Sequence, residues 1–398
     1  MNKYIYVLLP FVFLYFFSCA SQLPVKDEDL ELSCPPPEEE LPVEYLTIIA
    51  GGDNIIHDYI LRASDRDGSY CFDSIYDLIK EYILPADIAF INQETVLGNE
   101  ALGFSGYPLF STPYEAGTAL AFAGFNLINH ATNHVMDKGE EGILSTIDYW
   151  DSTIFVRADN TWVKIQYLGI HRSEEERQNR KIIFEKNNIK IGFLGYTYGT
   201  NNIPLPDDKQ YLVSLANPME MAAEINALRP LVDYLVISMH WGDEYGEDIN
   251  PYQEKFAAFF ADHSVDLVIG HHTHILGPVE TKSRPDGGTT VLFYSLGNFL
   301  SAHVRPIKEA LLGGLLYVKV KKTGDIIEAE EIGLIPTVTH YETNLTGFKV
   351  YPLSDYSEEL AGKHWRRLND REMTYDYLIK KARDRLGSRL ILDNPFFR

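Results

Sequence analysis

Five apolar runs in this chain end in polar clusters made of side chains that bind metals. Tyr45–Ala50 runs into Gly51-Gly52-Asp53, and Asp87–Ile91 into Asn92-Gln93-Glu94. Phe125–Asn129 runs into His130-Ala131-Thr132-Asn133-His134, Tyr234–Met239 into His240-Trp241-Gly242, and Leu267–Ile269 into Gly270-His271-His272-Thr273-His274. One such ending is ordinary. An ordered series mixing Asp, Glu, Asn and His points to a dinuclear metal centre at the carboxyl edge of a sheet, where open α/β sheets bind ligands.

Each cluster contributes a different chemistry. Asp53 follows two glycines, which let the backbone approach a ligand while the carboxylate takes a hard cation. Two carboxylates on neighbouring strand tips, Asp53 and Glu94, repel unless a cation lies between them. Asn133 offers a neutral carbonyl oxygen, and the adjacent His134 is left to act on substrate. Asp137 would orient that imidazole and fix its tautomer. His240 closes a strand of Val, Ile and Met. His272 and His274, two apart, can point to one side and reach one metal or a pair. His271 faces the other way if the segment is extended. His57, four after Asp53, reads as a surface residue. Taken singly, each has a plain alternative: a turn at Gly-Gly-Asp, a solvated Glu94, a helix cap at Asn133, a buried His240 bonded to a carbonyl. Taken together, the set suits borderline divalent metals such as Mn, Zn or Fe.

The elements that would position these residues alternate between strand and helix. Asp137–Trp150 has Ile143, Leu144 and Ile147 at helical spacing, and Trp150 closes that face. Asn217-Pro218 and Asn250-Pro251 are helix starts, Asn capping and Pro at the first helical position. Gln253 completes a capping-box spacing with Asn250. Lys190–Tyr196, Tyr234–Met239, Leu267–Ile269 and Val291–Ser295 read as strands. This alternation predicts parallel sheet. Later, Leu315–Lys321 and Ile326–Ile335 are strand-like with no helix between them, which predicts antiparallel or mixed sheet. Glu358–Arg367 and Glu372–Leu386 read as helices with charged faces.

The chain has 398 residues, is 45% hydrophobic and carries a formal charge of −22. That permits a sizeable core and disfavours nucleic acid, whose affinity rests on Lys and Arg neutralising phosphates. A polyanionic substrate would also be repelled unless a metal or a local basic pocket received it. At the N-terminus, Lys3, the apolar run Ile5–Phe17 and Ser18-Cys19 read as a signal peptide, too short for a membrane span. A Cys after a small residue resembles a bacterial lipobox, so residues 1–19 predict export and a lipid on Cys19 that anchors the protein to the membrane. Residues 20–41, acidic and Pro-rich, read as a tether. An exported compartment permits a disulfide between Cys34 and Cys71.

With these residues in view, the chain resembles the CapA family of poly-γ-glutamate capsule synthesis proteins, which are similar to calcineurin-like metallophosphoesterases. The resemblance rests on Gly52-Asp53, Asn92-x-Glu94, Ala131-x-Asn133-His134 with Asp137 and Gly139, His240-Trp241-Gly242 with Glu244-Tyr245, Gly270-His271-His272-x-His274, and Ser295-Leu296-Gly297-Asn298-Phe299. It implies a four-layer α/β/β/α sandwich with two mixed sheets over 42–340, with 341–398 as an extension packing on it. It also implies roles: Asp53 a first-strand ligand, Glu94 the bridge between two metals, Asn133, His240, His272 and His274 the remaining ligands, and His134 the catalytic histidine oriented by Asp137. Ile55 stands where the usual Asp-x-His opening has its His, Thr132 where Asn is common, and Gln93 where Leu is common.

The expected activity is hydrolysis of a phosphoester by water activated between two cations. The family name raises a second possibility, cleavage or transfer of a γ-glutamyl amide at the same site. A third is a lipid-tethered surface subunit that binds polymer, or a membrane synthase and export partner, without catalysis.

Overall fold

The structure is a computed structural model that describes residues 41–156, 162–302 and 307–397. Residues 1–40, on which the expected leader, the expected lipidation of Cys19 and most of the expected tether fall, together with Cys34, lie outside the described residues. Cys71 is exposed and unbridged among them.

Strand β1 (Val43–Asn54) is the centre of the first sheet. On one side it pairs in parallel with β2 (Ile88–Gln93), which is followed by β3 (Leu127–Asn129) and β4 (Gln166–Leu168), all parallel. The second sheet begins with β5 (Ile182–Lys186), antiparallel to β6 (Ile189–Thr197). Then come β7 (Tyr234–His240) and β8 (Leu267–His271), both parallel to β6, and the antiparallel pair β9 (Val279–Ser283) and β10 (Thr289–Phe293). Strand β10 lies beside β8, giving the order β5-β6-β7-β8-β10-β9. The chain then returns to the first sheet. Short β11 (Asn298–Leu300) runs parallel to the tip of β1, β12 (Leu312–Thr323) pairs antiparallel along its length, and β13 (Ile326–His340) and β14 (Lys349–Pro352) complete that edge. Both sheets are therefore mixed, as expected: the βα alternation produced the parallel strands, and the helix-free stretch after Leu312 produced the antiparallel ones.

The layers follow from side-chain alternation along buried strands. In β7, Tyr234 and Val236 join the main core shared with the first sheet, while Leu235, Ile237 and Met239 face a separate cluster. That second cluster is closed by Met221 and Ile225 of helix Pro218–Leu228 and by Phe256 and Phe260 of helix Pro251–Asp262. Asn250 and Gln253 form the capping box, so the helix starts where its backbone N–H groups would otherwise be orphaned. Helix Gly139–Ser152 buries Ile143, Ile147 and Trp150 against the first sheet, each such side chain contributing about 1.5–3 kcal/mol.

From residue 341 onward, Tyr341, Phe348, Leu353, Met373, Leu378 and Leu386 belong to the main core. The expected helix over Glu358–Arg367 is Glu358–Lys363 followed by a 3₁₀ turn at Trp365–Leu368. His364 separates the two, accepting a bond at Nδ1 from the Arg366 amide at 2.9 Å. The last helix begins at Tyr375 rather than Glu372, because Thr374 is its cap, receiving the Tyr377 amide at 3.0 Å. No helix among the described residues is long and apolar enough to cross a membrane.

Candidate metal centre

The carboxyl ends of β1, β2, β7 and β8 meet, and this brings the polar strand endings together. Asp53 and Asn92 are register partners, as are Asn92 with Asn129 and His240 with His271. The β1–β2 register slips between Gly51 and Asp53, a bulge that re-aims the Asp53 side chain. Gly52 is required there, since a Cβ would collide with the carbonyl oxygen of Gly297. That carbonyl in turn receives the Asp53 amide at 2.9 Å.

Asp53 is fully buried. Asn92 Nδ2 donates to its Oδ1 at 2.8 Å, the His272 amide donates to Oδ2 at 3.2 Å, and His274 Nδ1 donates to Oδ2 at 3.0 Å. Asn92 is held by Asn129, whose Nδ2 donates to Asn92 Oδ1 at 2.7 Å. Burial opposes ionisation of Asp53, but the imidazoles of His271 and His274 outweigh it and hold the carboxyl well below the usual range.

Glu94 is 1% exposed, and neither carboxylate oxygen has a hydrogen-bond partner. Burial pushes its carboxyl well above the usual range, with Asp53 adding to the effect and His274 opposing it. Its Oε1 lies 3.8 Å from His274 Nε2 and 4.0 Å from His240 Nε2. Two groups result: Asp53, Glu94 and His274, and Glu94, His240 and His272, the ligand atoms of each lying within 4.8 Å of one another. Glu94 belongs to both. Asn133 Oδ1 joins the second group, 2.9 Å from His240 Nε2. An orphaned buried carboxylate between two sets of N and O donors fits a divalent cation, since leaving it ionised and unpaired would be costly.

The histidines are placed by local backbone. His272 and His274 have φ of 89° and 62°, in the left-handed region, so the segment turns rather than extends. Such strain of about 1–3 kcal/mol per residue is characteristic of sites whose surroundings over-determine it. Because the segment turns, His271 is not directed away, as an extended strand would require. It is fully buried, stacked on Phe90, with Nδ1 3.5 Å from Asp53 Oδ1. Burial and neighbouring imidazoles hold His240 and His272 neutral, the latter at about 3, which leaves lone pairs for a cation. His274 is the exception: burial works against its charge, but Glu94 and Asp53 push it up to about 9.

His134 Nδ1 donates to Asp137 Oδ2 at 2.8 Å, and the Phe110 amide donates to the same oxygen at 2.8 Å. The Phe110 ring stands edge-on to His134 at 4.7 Å. His57 is a correction: it is buried, not on the surface. It precedes helix Asp58–Ser64 and follows buried Ile55 and Ile56, and its Nδ1 accepts the Ala302 amide at 3.2 Å. Burial, with His274 nearby, lowers it to about 3. Ile55 is buried and offers no donor.

Sequence reasoning missed Asn201 and Tyr198. Asn201 Oδ1 receives Asn133 Nδ2 at 3.0 Å, and its own Nδ2 lies 3.3 Å from His134 Nδ1. The Tyr198 ring lies 4.7 Å from that of His272. Both follow β6, whose apolar run Lys190–Tyr196 also ends in a polar cluster, so the same signal was present there.

The family described as "Bacterial capsule synthesis protein PGA_cap" matches residues 47–303. The chain is 27% identical over 312 residues to the "PGA biosynthesis protein CapA" of Bacillus subtilis (strain 168), covering 75% of this chain and 72% of that one. It is 26% identical over 266 residues to the "Capsule biosynthesis protein CapA" of Bacillus anthracis, covering 65% and 60%. Among solved structures, the NAD nucleotidase (NadN) of Haemophilus influenzae is similar at 14% identity and a TM-score of 0.44, over 88% of this chain and 57% of that one. The calcineurin-like phosphoesterase YfkN of Bacillus subtilis is similar at 12% identity and a TM-score of 0.41, over 85% and 99%.

Proposed function

The chain belongs to the PGA_cap family of bacterial capsule synthesis proteins, and we propose that within it this protein is a metal-dependent hydrolase acting on a phosphoester. The observation that carries the reading is Glu94, buried, without a hydrogen-bond partner at either oxygen, and shared by two donor groups. Asp53 and His274 would hold one divalent ion, Asn133, His240 and His272 a second, and Glu94 both. Mn, Zn or Fe suits this mixture of N and O donors. Bound divalent ions supply Lewis acidity at the phosphoryl oxygens and an acidified water.

The chain's own residues do the rest. Asp137, an acceptor only, keeps the proton of His134 on Nδ1 and leaves Nε2 to exchange a proton with the leaving oxygen. Asn201 holds the Asn133 amide so that its oxygen faces His240. The Asn129–Asn92–Asp53 chain of bonds fixes the first carboxylate.

Elemental analysis of the purified chain beside His272→Ala tests the reading. About two metals per chain in the parent and fewer in the variant are expected. No metal in either after soaking with Mn or Zn, or equal phosphodiester hydrolysis by the parent and Asp53→Ala, overturns it.

A second reading draws on Ile55, which gives the first ion one donor fewer: a surface subunit that binds γ-glutamyl polymer or a membrane synthase without catalysis. For either reading we further propose, from the Ser18-Cys19 ending of the apolar run Ile5–Phe17, that the protein is exported and anchored through lipid on Cys19. Cys19→Ser should release it from the membrane fraction; retention there would refute the anchor.

A further inference from the structure

The donor cluster sits at the carboxyl ends of the strands, and a set of large apolar side chains is exposed at the opposite end of the first sheet. The chain enters there through Leu41, 60% exposed, and exposed Val43. Val43 is the register partner of Thr323, so the turn from β12 to β13 lies at the same edge, where Ile326 is 69% exposed. A Cβ on Gly324 in that turn would meet Leu41 Cδ1 at 3.0 Å, so Leu41 packs beside the turn.

A second apolar point stands on the other side of β1. Leu84 is exposed four residues before β2, and Phe122 five residues before β3. The short antiparallel pair Phe155–Val156 and Trp162–Val163 precedes β4. A Cβ on Gly124 would meet Leu84 Cδ2 at 3.1 Å, and the Phe122 ring stands edge-on to Phe155 at 6.3 Å, so these pieces adjoin. Ile154 and Val156 are exposed beside them, and Trp162, opposite Val156, is 72% exposed. The other tryptophans, Trp150, Trp241 and Trp365, are buried or half-buried.

Exposed apolar groups gathered at one end mark an interaction surface. A tryptophan ring, apolar with one polar edge, suits the headgroup boundary of a bilayer. The groups are carried on a turn, a strand pair and a helix end, which are separate protrusions. A fluid lipid surface receives such points without the shape complementarity that a folded partner would have to supply. The place of entry favours lipid as well. Cys19 lies 22 residues before Leu41, which keeps Leu41 within at most about 75 Å of a lipid on Cys19 at about 3.4 Å per residue. A surface held that near needs only weak affinity, since its effective concentration is on the order of millimolar.

Building on the anchored reading above, we propose that this edge docks on the lipid bilayer. Leu41 and Ile326 enter the headgroup boundary at one point, and Ile154, Val156 and Trp162 at the other. The contact is apolar rather than a charge attraction, because a chain of net charge −22 is repelled by anionic lipid. Val43 and Asp53 are ten positions apart on β1, about 33 Å in a strand. The metal centre therefore faces the aqueous side, and its substrate comes from there rather than from the headgroups.

The test reconstitutes the full chain in vesicles of phosphatidylethanolamine and phosphatidylglycerol whose dibrominated acyl chains quench tryptophan at short range. Trp162 emission, taken as the parent minus Trp162→Phe, should fall about twofold or more against unbrominated vesicles, and should stay quenched in about 1 M salt, where charge attraction is screened within about 3 Å. Ile154→Ser with Val156→Ser should restore about half of that loss or more. Tyr107→Trp in the Trp162→Phe background puts a reporter at the cavity of the metal centre, and it should remain unquenched. Metal content equal to that of the parent shows that the variants fold. Mass spectrometry of Cys19 tests the anchor separately. If Cys19 carries no lipid, yet Trp162 is quenched when the same protein is mixed with preformed vesicles, the anchor fails and the docking surface stands. Unquenched Trp162 in either arrangement overturns the inference, as does equal quenching of the Tyr107→Trp reporter or a dimer in detergent that Trp162→Ser dissociates.

Discussion

Two groups of buried histidines in this molecule differ in how much of their hydrogen-bonding capacity is spent and in what the remainder faces. In the C-terminal part, His364 uses both ring nitrogens, accepting the Arg366 amide at Nδ1 and donating to the Thr339 carbonyl from Nε2 at 3.1 Å. Its neighbour His340 pairs Nδ1 with the Tyr356 hydroxyl at 2.9 Å and leaves only Nε2 without a hydrogen bond, 3.7 Å from the half-exposed Glu342 carboxylate. At the strand tips, His272 leaves Nδ1 without a partner, His271 leaves both nitrogens so, and Glu94 leaves both oxygens. Burial and histidine content are the same in kind. What separates a packing cluster from a candidate metal centre is unspent donor capacity converging on carboxylates.

That contrast can be broken most sharply at Glu94. Glu94→Gln should lower hydrolysis by roughly a thousandfold, since the several kcal/mol of charge stabilisation at stake correspond to about 1.4 kcal/mol per tenfold. Yet its metal-free stability should equal or exceed that of the parent, because a buried carboxylate without partners is removed; a urea melt in chelator checks this. His364→Ala should do the reverse. It should cost about 3 kcal/mol in the same melt, from lost packing and stranded backbone groups, with metal content unchanged. If His364→Ala strips metal, or Glu94→Gln unfolds the metal-free chain, the distinction fails.

A smaller effect is expected at Asp137. Asp137→Asn should reduce turnover about 10–100-fold by releasing the His134 tautomer, with full metal content by elemental analysis. Smaller again, per unit of pH, is the acid response of neutral histidines away from the centre. Burial lowers both His130 and His364 to about 3 from the ordinary 6.5. His130 accepts the Trp150 indole N–H at 2.8 Å, which requires an unprotonated Nε2. The unfolded chain therefore takes up protons first. Stability is intact above about pH 6.5 and falls toward pH 3 by about 1.4 kcal/mol per unit for each histidine. Melts of the parent and His130→Gln across that range should diverge; parallel curves would remove His130 from the account.

The strand-end pattern alone predicts Asp53, Glu94, Asn133, His240, His272 and His274 as neighbours, because apolar period and polar terminus are local properties of sequence. His57 reads as a surface residue by its type alone, although Ile55-Ile56 before it and Ile60-Leu61 after it signal a buried helix start. Two things were not local. The inward turn of His271 depends on left-handed backbone at His272, which no residue type there announces. The pairing of β1 with β12 depends on two distant stretches recognising each other, and neither carries a motif for its partner. Asn201 was within reach, since its strand end had the same form as the others.

The place of β1 in the sheet sets a schedule for the molecule. Val43 lies opposite Thr323 and Asp53 beside Asn298, so the strand that carries the first carboxylate finds its outer neighbours only when the far end of the chain is available. Contacts this remote in sequence close slowly. During synthesis the N-terminal three quarters of the chain would therefore wait with one long edge of β1 exposed, an invitation to wrong pairings that chaperones or a gap-filling segment would have to discourage. The centre would then be among the last parts to mature, and metal would have to arrive after the chain is complete rather than guide its folding.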